Sequence, residues 1–229
     1  MTNKPEVVAL VPVREGSQRI PEKNLRPFGD HPTLIHRKIQ HLKDAGCFDH
    51  IYVSSDSERI KEITQECGAE FLPRDPYLCG SAARWDEVVV GCMNDIPGDP
   101  HVAWAMVTSP LYKGYAAGIA QYLEHLGEHD SLVAVKAIHE YLIDEAGRPL
   151  FYGFGVWHPY TTEFKPMYAI ADTLFVAKKT DQLLWRYWFG RKPYLLEVGS
   201  IEAIDVNFEE DLHMAYAAEM YLKQQEDKG

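Results

Sequence analysis

The chain predicts an α/β fold with a mainly parallel central sheet and helices on both of its faces, on three observations. Short apolar runs recur at 7–13, 50–54, 101–107 and 131–135, each bounded by turn residues and too short for a helix. Between them lie segments with apolar residues at helical spacing, long enough to carry a crossover from one parallel strand to the next. The first of these runs and the one at 101–107 both stop at polar loops, and in such sheets ligands bind where the strands end.

The elements follow in order. Val7–Val13 is the first strand. Leu34, Ile35, Ile39, Leu42 and Ala45 share one helical face, which Gly46 closes. His50–Ser54 is a second strand, and Ser55-Asp56-Ser57 starts a helix carrying Ile60, Ile63 and Cys67. Gly68–Leu72 is a third strand, stopped by Pro73 and Pro76. A helix over Trp85–Asn94 leads to a fourth strand, His101–Val107. Gly118–Leu126 is helical and Ser131–Val135 is a fifth strand. Periodicity then lapses over about 137–171, an aromatic, glycine- and proline-rich insertion of the kind that serves an acceptor or a partner. Asp172–Val176, a helix over Thr180–Phe189, a strand over Pro193–Val198 and a helix over Glu209–Lys223 complete one domain spanning 1–229.

Composition excludes several classes. With 229 residues and a net charge of −11, the chain does not suit a broad nucleic-acid or anionic-membrane binder. Cys47, Cys67, Cys79 and Cys92 form no CxxC pair and read as reduced structural thiols. No run reaches the ~18 apolar residues of a membrane span. With no signal-peptide pattern at Met1–Glu6, the expected setting is the cytoplasm.

Chemistry concentrates directly behind the first strand. Arg14, Arg19 and Lys23 surround Gly16 and Ser17, with neither a GxxxxGK[ST] nor a GxGxxG pattern present. Glycine lets backbone approach a polyanion while the cations neutralise several of its oxygens. A solvated basic loop is the plain alternative, but cations clustered behind a buried strand in an acidic chain favour an anion site.

The string Arg14-Glu15-Gly16-Ser17-Gln18-Arg19-Ile20-Pro21-Glu22-Lys23-Asn24 resembles the R-x-G-S-K-x-[IL]-P-x-K-N signature of the acylneuraminate cytidylyltransferases, which make CMP-activated sialic-acid-like sugars. Matches follow in order at Phe48–Asp56, Arg74–Leu78, Thr108–Leu111 and Ile204–Leu212. The resemblance covers nearly the whole chain and is weakest over the insertion.

It implies a Rossmann-like nucleotidyltransferase fold, CTP as co-substrate, Mg2+ as metal, pyrophosphate as leaving group, a small acidic acceptor, and a homodimer formed through the insertion. By position, Arg14, Arg19 and Lys23 would be the catalytic cations at the triphosphate. Ser17, Gln18 and Asn24 would position nucleotide, Arg74 would lie near the base or phosphates, and Thr108 and Ser109 would border the substrate. Arg84 and Lys165 are candidate cations for an acceptor carboxylate. Asp205 and Asn207 fall on the family's D-x-D pair, whose i, i+2 spacing turns two side chains to one face where both can reach Mg2+.

The departures fall mostly on the acceptor half. Gln18 stands where the family carries lysine, and Asn207 stands where it carries the second acid. Met106-Val107 replaces Gln-Pro, Tyr112 replaces arginine, and Tyr168–Asp172 aligns with R-P-N-G without its asparagine. Three readings stay open: CMP transfer to an acidic sugar, CMP transfer to a phosphonate or phosphate, and a nucleotide-binding module without catalysis. His125 and His129 read as a solvated helix end. His139 and His158 could face an acceptor, and Tyr152, Phe154, Trp157 and Tyr160 suit a dimer interface or a stacking surface.

Overall fold

The computed structural model describes residues 4–16 and 19–226. Its centre is a seven-stranded sheet of β1 (Val7–Pro12), β2 (His50–Ser55), β3 (Glu70–Pro73), β4 (His101–Trp104), β5 (Ser131–Ile138), β6 (Met167–Lys178) and β7 (Pro193–Glu197). The spatial order is β3-β2-β1-β4-β6-β5-β7. Every pairing is parallel except those of β6, which runs antiparallel to β4 and to β5.

Among the described residues seven helices flank the sheet: α1 (Leu34–Ala45), α2 (Glu58–Glu66), α3 (Pro76–Cys79), α4 (Trp85–Asp95), α5 (Tyr115–Glu124), α6 (Lys179–Trp185) and α7 (Glu209–Glu226). β1 reads as an unbroken apolar run because both of its faces are covered. Val7, Ala9 and Val11 pack with Ile35, Ile39, Ile60 and Leu212 on one side. Val8 and Leu10 pack with Val89, Met93 and Trp104 on the other. Each such buried aliphatic side chain contributes about 1.5–3 kcal/mol.

Local signals fix the helix ends as the sequence predicts. Thr33 and Ser57 cap α1 and α2, their side chains accepting from the backbone N–H of His36 and Ile60. Gly46 ends α1 at φ 60°, a left-handed conformation that suits glycine.

Four elements differ from expectation. β4 stops at Trp104, and the apolar Ala105–Val107 continues into the site as a buried turn rather than a strand. α3 is a single turn begun by Asp75 and Pro76, with the Asp75 side chain accepting from Tyr77 N–H at 2.8 Å. α6 ends at Trp185, since Arg186 adopts φ 54°, and the following Trp188 turns back to stack on Phe175 at 4.0 Å.

The fourth difference concerns the insertion, which shrinks to 139–166. Ile138 pairs with Met167, Ala137 with Tyr168 and Lys136 with Ala169, so the insertion is the end of a β5–β6 hairpin. The alternation that would betray this part of β6 is hidden, because its exposed side carries Tyr168 and Ile170 instead of polar residues. Within the insertion Tyr141, Tyr152 and Phe164 form an aromatic cluster, on which His158 stacks through Tyr141 at 4.5 Å.

The four cysteines are free thiols. Among the described residues no helix is long and apolar enough to cross a membrane.

Candidate active site

A cavity of about 570 Å³ opens where β1 and β4 end, lined by residues from the loop after β1, the start of α4, the β4 exit, β6 and the segment before α7. Its two walls carry opposite charge.

The basic wall is the loop that follows β1. Arg74 holds the exit of this strand, its Nη2 donating to Val13 O at 2.6 Å. Asn24 donates from Nδ2 to Arg14 O at 2.9 Å, tying the two ends of the loop together. Lys23 opens a 3-10 turn and donates from Nζ to Val206 O at 2.7 Å. Burial pushes the Lys23 ammonium pKa down, and the nearby Asp205 carboxylate opposes this. Glu22, which precedes them, sits at φ 51°, a left-handed conformation that costs a non-glycine residue about 1–2 kcal/mol. The bonds made by Lys23 and Asn24 hold the chain in that turn. Arg19 reaches furthest, donating from Nη2 to Asn207 Oδ1 at 2.7 Å with its guanidinium 5.0 Å from the Phe208 ring centre.

The acidic wall is assembled by the polar loop after β4. Thr108 O accepts from Val206 N–H at 2.7 Å, and Ser109 Oγ donates to Asp172 O at 2.5 Å. Two adjacent loop residues thereby bring β6 and the 205–207 segment together. From behind, Arg37 Nε donates to Pro110 O at 2.7 Å and Lys38 Nζ to Ser109 O at 2.8 Å. Arg37 is balanced by Glu219, at 2.6 Å. Lys38 is fully buried with only neutral hydrogen-bond partners, and burial followed by the Arg37 charge lowers its ammonium to about 7.

Asp172 and Asp205 both line the cavity. Burial, and then the Asp205 carboxylate, push Asp172 up to about 6. Asp205 Oδ2 accepts from Asn207 Nδ2, while its Oδ1 is buried without a hydrogen-bond partner. Such an atom is costly unless a ligand satisfies it.

Most of the expected site residues converge here. Arg14, Arg19, Lys23, Asn24, Arg74, Thr108, Asp205 and Asn207 all line the cavity. Ser17 and Gln18 lie outside the described residues. Ser109 does not reach the cavity; its hydroxyl is fully buried and serves the Asp172 backbone. Arg84 turns away into a two-point contact with Asp86, at 3.0 and 2.9 Å, and like Lys165 it is not among the lining residues. His125 stacks on Tyr194 at 4.3 Å, at the far end of α5.

The family model described as cytidylyltransferase matches residues 8–141, from the first strand through the acidic-wall loop. The chain belongs to the cytidylyltransferase family. It is 25% identical, over an alignment of 220 positions that covers 89% of this chain and 51% of the other protein, to an N-acylneuraminate cytidylyltransferase of Streptococcus agalactiae. It is 41% identical over 111 residues to a pseudaminic acid cytidylyltransferase of Campylobacter jejuni, covering 45% of this chain and 47% of that one. The chain thus spans about half the length of the curated relatives it matches. Among solved structures, CMP:2-keto-3-deoxy-manno-octonic acid synthetase complexed with CTP superposes with a TM-score of 0.66 at 13% identity, covering 96% of this chain and 99% of that one. That likeness establishes the Rossmann-like fold.

Sequence reasoning missed part of this cavity. Leu78, Trp85 and Val88 form an apolar stretch of the wall. Gly91 on α4 backs it, since a Cβ there would lie 2.3 Å from Leu78 Cδ1. Asp172 was the larger omission. Its signal was available: a single carboxylate in the middle of the strand Met167–Lys178, whose only other polar side chains are Thr173 and the terminal Lys178.

Proposed function

We propose that this chain binds CTP in the cavity and transfers CMP to an acidic sugar, releasing pyrophosphate. The observation that carries this reading is the facing of three loop cations, Arg14, Arg19 and Lys23, against the carboxylates of Asp172 and Asp205 across one cavity. The names of its relatives point to nine-carbon keto-acid sugars of the sialic and pseudaminic type as acceptor.

In this reaction an acceptor oxygen forms a bond to the α-phosphorus while the bond from that phosphorus to the β-phosphate oxygen breaks. The electron pair leaves with pyrophosphate, and the acceptor proton passes to solvent. Negative charge grows on the departing pyrophosphate, so fixed cations that meet it lower the barrier. Arg14, Arg19 and Lys23 are assigned to that charge, Asn24 to the loop geometry that presents them, and Arg74 to the strand exit beneath them.

Mg2+ fits the acidic wall. The buried, unpartnered Asp205 Oδ1 is a hard oxygen donor of the kind Mg2+ takes, and Mg2+ is commonly held by one or two carboxylates plus substrate phosphates. When bound it would neutralise phosphate oxygens. Asn207 is less suited than its position implies. Arg19 can only donate, which turns the Asn207 amide oxygen toward the guanidinium and its nitrogen toward Asp205.

A phosphonate or phosphate acceptor finds less support. The cations lining the cavity are Arg14, Arg19, Lys23 and Arg74, all on the nucleotide side, and Arg84 is bound to Asp86. Pyrophosphate release measured across nine-carbon keto-acid sugars, phosphonates and phosphates tests the assignment. Release with a keto-acid sugar is expected, and Asp205→Ala should abolish it while weakening CTP binding less. Turnover with phosphonates alone would sink the sugar reading. Stabilisation by CTP without turnover on any acceptor would identify a binding module.

A homodimer in the cytoplasm belongs to the same proposal. Phe154, Val156, Trp157 and Tyr160 on the insertion are 62%, 92%, 81% and 76% exposed, a density of apolar surface that a second copy would cover.

A further inference from the structure

We propose that Asp172 on β6, rather than Asn207, supplies the second protein oxygen to the divalent cation at Asp205. The inference rests on the reading of the cavity as a CTP and metal site, and concerns which of this chain's residues serve it.

Asn207 is already engaged on both ends of its amide, with Arg19 at 2.7 Å and with Asp205 Oδ2. It thereby acts as a bridge between the basic loop and the acidic wall. It also brings no negative charge, which a hard cation needs when only a few protein ligands are present. Asp172 brings that charge. Its placement beside Asp205 is set by backbone, since Ser109 Oγ holds Asp172 O and Thr108 O holds Val206 N–H. The two carboxylates therefore sit on neighbouring patches of one wall, one on β6 and the other on the irregular segment before α7.

Independent observations point to a ligand between them. Asp205 Oδ1 is buried without a partner. Asn24, 8% exposed and lining the same cavity, also leaves its Oδ1 without one. Lys23 of the basic loop gives a hydrogen bond to Val206 O instead of to either carboxylate. Two acids facing a cavity are the usual protein share of a Mg2+ site that is completed by phosphates. In this chain the acid missing at 207 is matched by one present at 172.

The test is Mn2+ binding, followed by its electron paramagnetic resonance signal, to the full chain with saturating CTP. Asp172→Asn should weaken Mn2+ binding at least tenfold, whereas Asn207→Ala should change it less than threefold. Asp172→Asn combined with Asn207→Asp should recover affinity, since the carboxylate returns to the other side of Asp205. Thermal unfolding without ligand confirms that Asp172→Asn is folded; Asp172→Glu, which keeps the charge, should retain more affinity than Asp172→Asn. Unchanged Mn2+ affinity in Asp172→Asn, with a tenfold loss in Asn207→Ala, would overturn the inference and leave the CTP reading intact. Failure of the unaltered chain to bind CTP would overturn both.

Discussion

Arg19 and Asn207, 188 positions apart in sequence, meet at 2.7 Å across the mouth of the cavity. This contact closes the basic loop onto the acidic wall and explains why an amide at 207 is compatible with the site. An aspartate there would also bind Arg19, but it would lose the N–H that Asn207 gives to Asp205.

Arg19→Ala should therefore act on chemistry more than on folding. The contact is exposed, and removing it should change stability by no more than about 0.5 kcal/mol. In the proposed transfer, losing a positioned charge at the departing pyrophosphate should lower turnover about 100-fold. Pyrophosphate release measured alongside thermal unfolding separates the two effects.

Asp172 should leave a signature in stability against pH. Its carboxyl titrates near 6 in the folded chain and near 3.8 when unfolded. Between those values the folded state binds more protons, so stability falls as pH rises from about 4 to about 6. In buffer with a chelator, Asp172→Asn should remove that decline. Unfolding midpoints of the two chains, compared at several pH values, read the difference directly.

Lys38 should show the opposite slope. Its ammonium is lowered to about 7 by burial, so between about 7 and 10.5 the unfolded chain holds the extra proton, and folding gains stability as pH rises. Tyr115, its hydroxyl partner, is pushed well above 10 and stays neutral through most of that window. Relative to Lys38→Met, the unaltered chain should gain stability between pH 7 and pH 10 in urea titrations. Lys38→Met should also reduce turnover about tenfold by loosening Ser109 and with it the acidic wall.

The insertion should control assembly. Replacing Val156 and Trp157 together by Asp and Ser removes the most exposed apolar surface of the hairpin end. Light scattering after size exclusion should report a dimer for the unaltered chain and a monomer for the replacement. A dimer that survives the replacement would remove the insertion from the interface.

The basic wall was legible in sequence because its residues lie in one string behind one strand, where sequence distance and spatial distance agree. The acidic wall was legible only in part. Asp205 carries a motif, but Asp172 becomes its neighbour through Ser109 and Thr108, a relation that periodicity along the chain does not contain. Arg84 looked free because its partner Asp86 is only two positions away, on the first turn of α4. Ser109 looked like a ligand group because burial of a hydroxyl leaves no mark on composition. The fold was more legible than the site, since buried strands and capped helices are written locally. Its lapses came where a strand exposes apolar side chains, as at Tyr168 and Ile170.

The single reversed strand has a wider meaning. β6 runs against β4 and β5, so it begins, rather than ends, at the cavity edge, and the hairpin that precedes it hangs off that edge without interrupting the sheet. Residues 139–166 can therefore change in length and composition while the β1 loop and its cations stay in place. The hairpin end is free to be rewritten while the β1 loop stays anchored by the core, which makes this architecture a ready place to exchange one segment and read the effect on binding at the cavity.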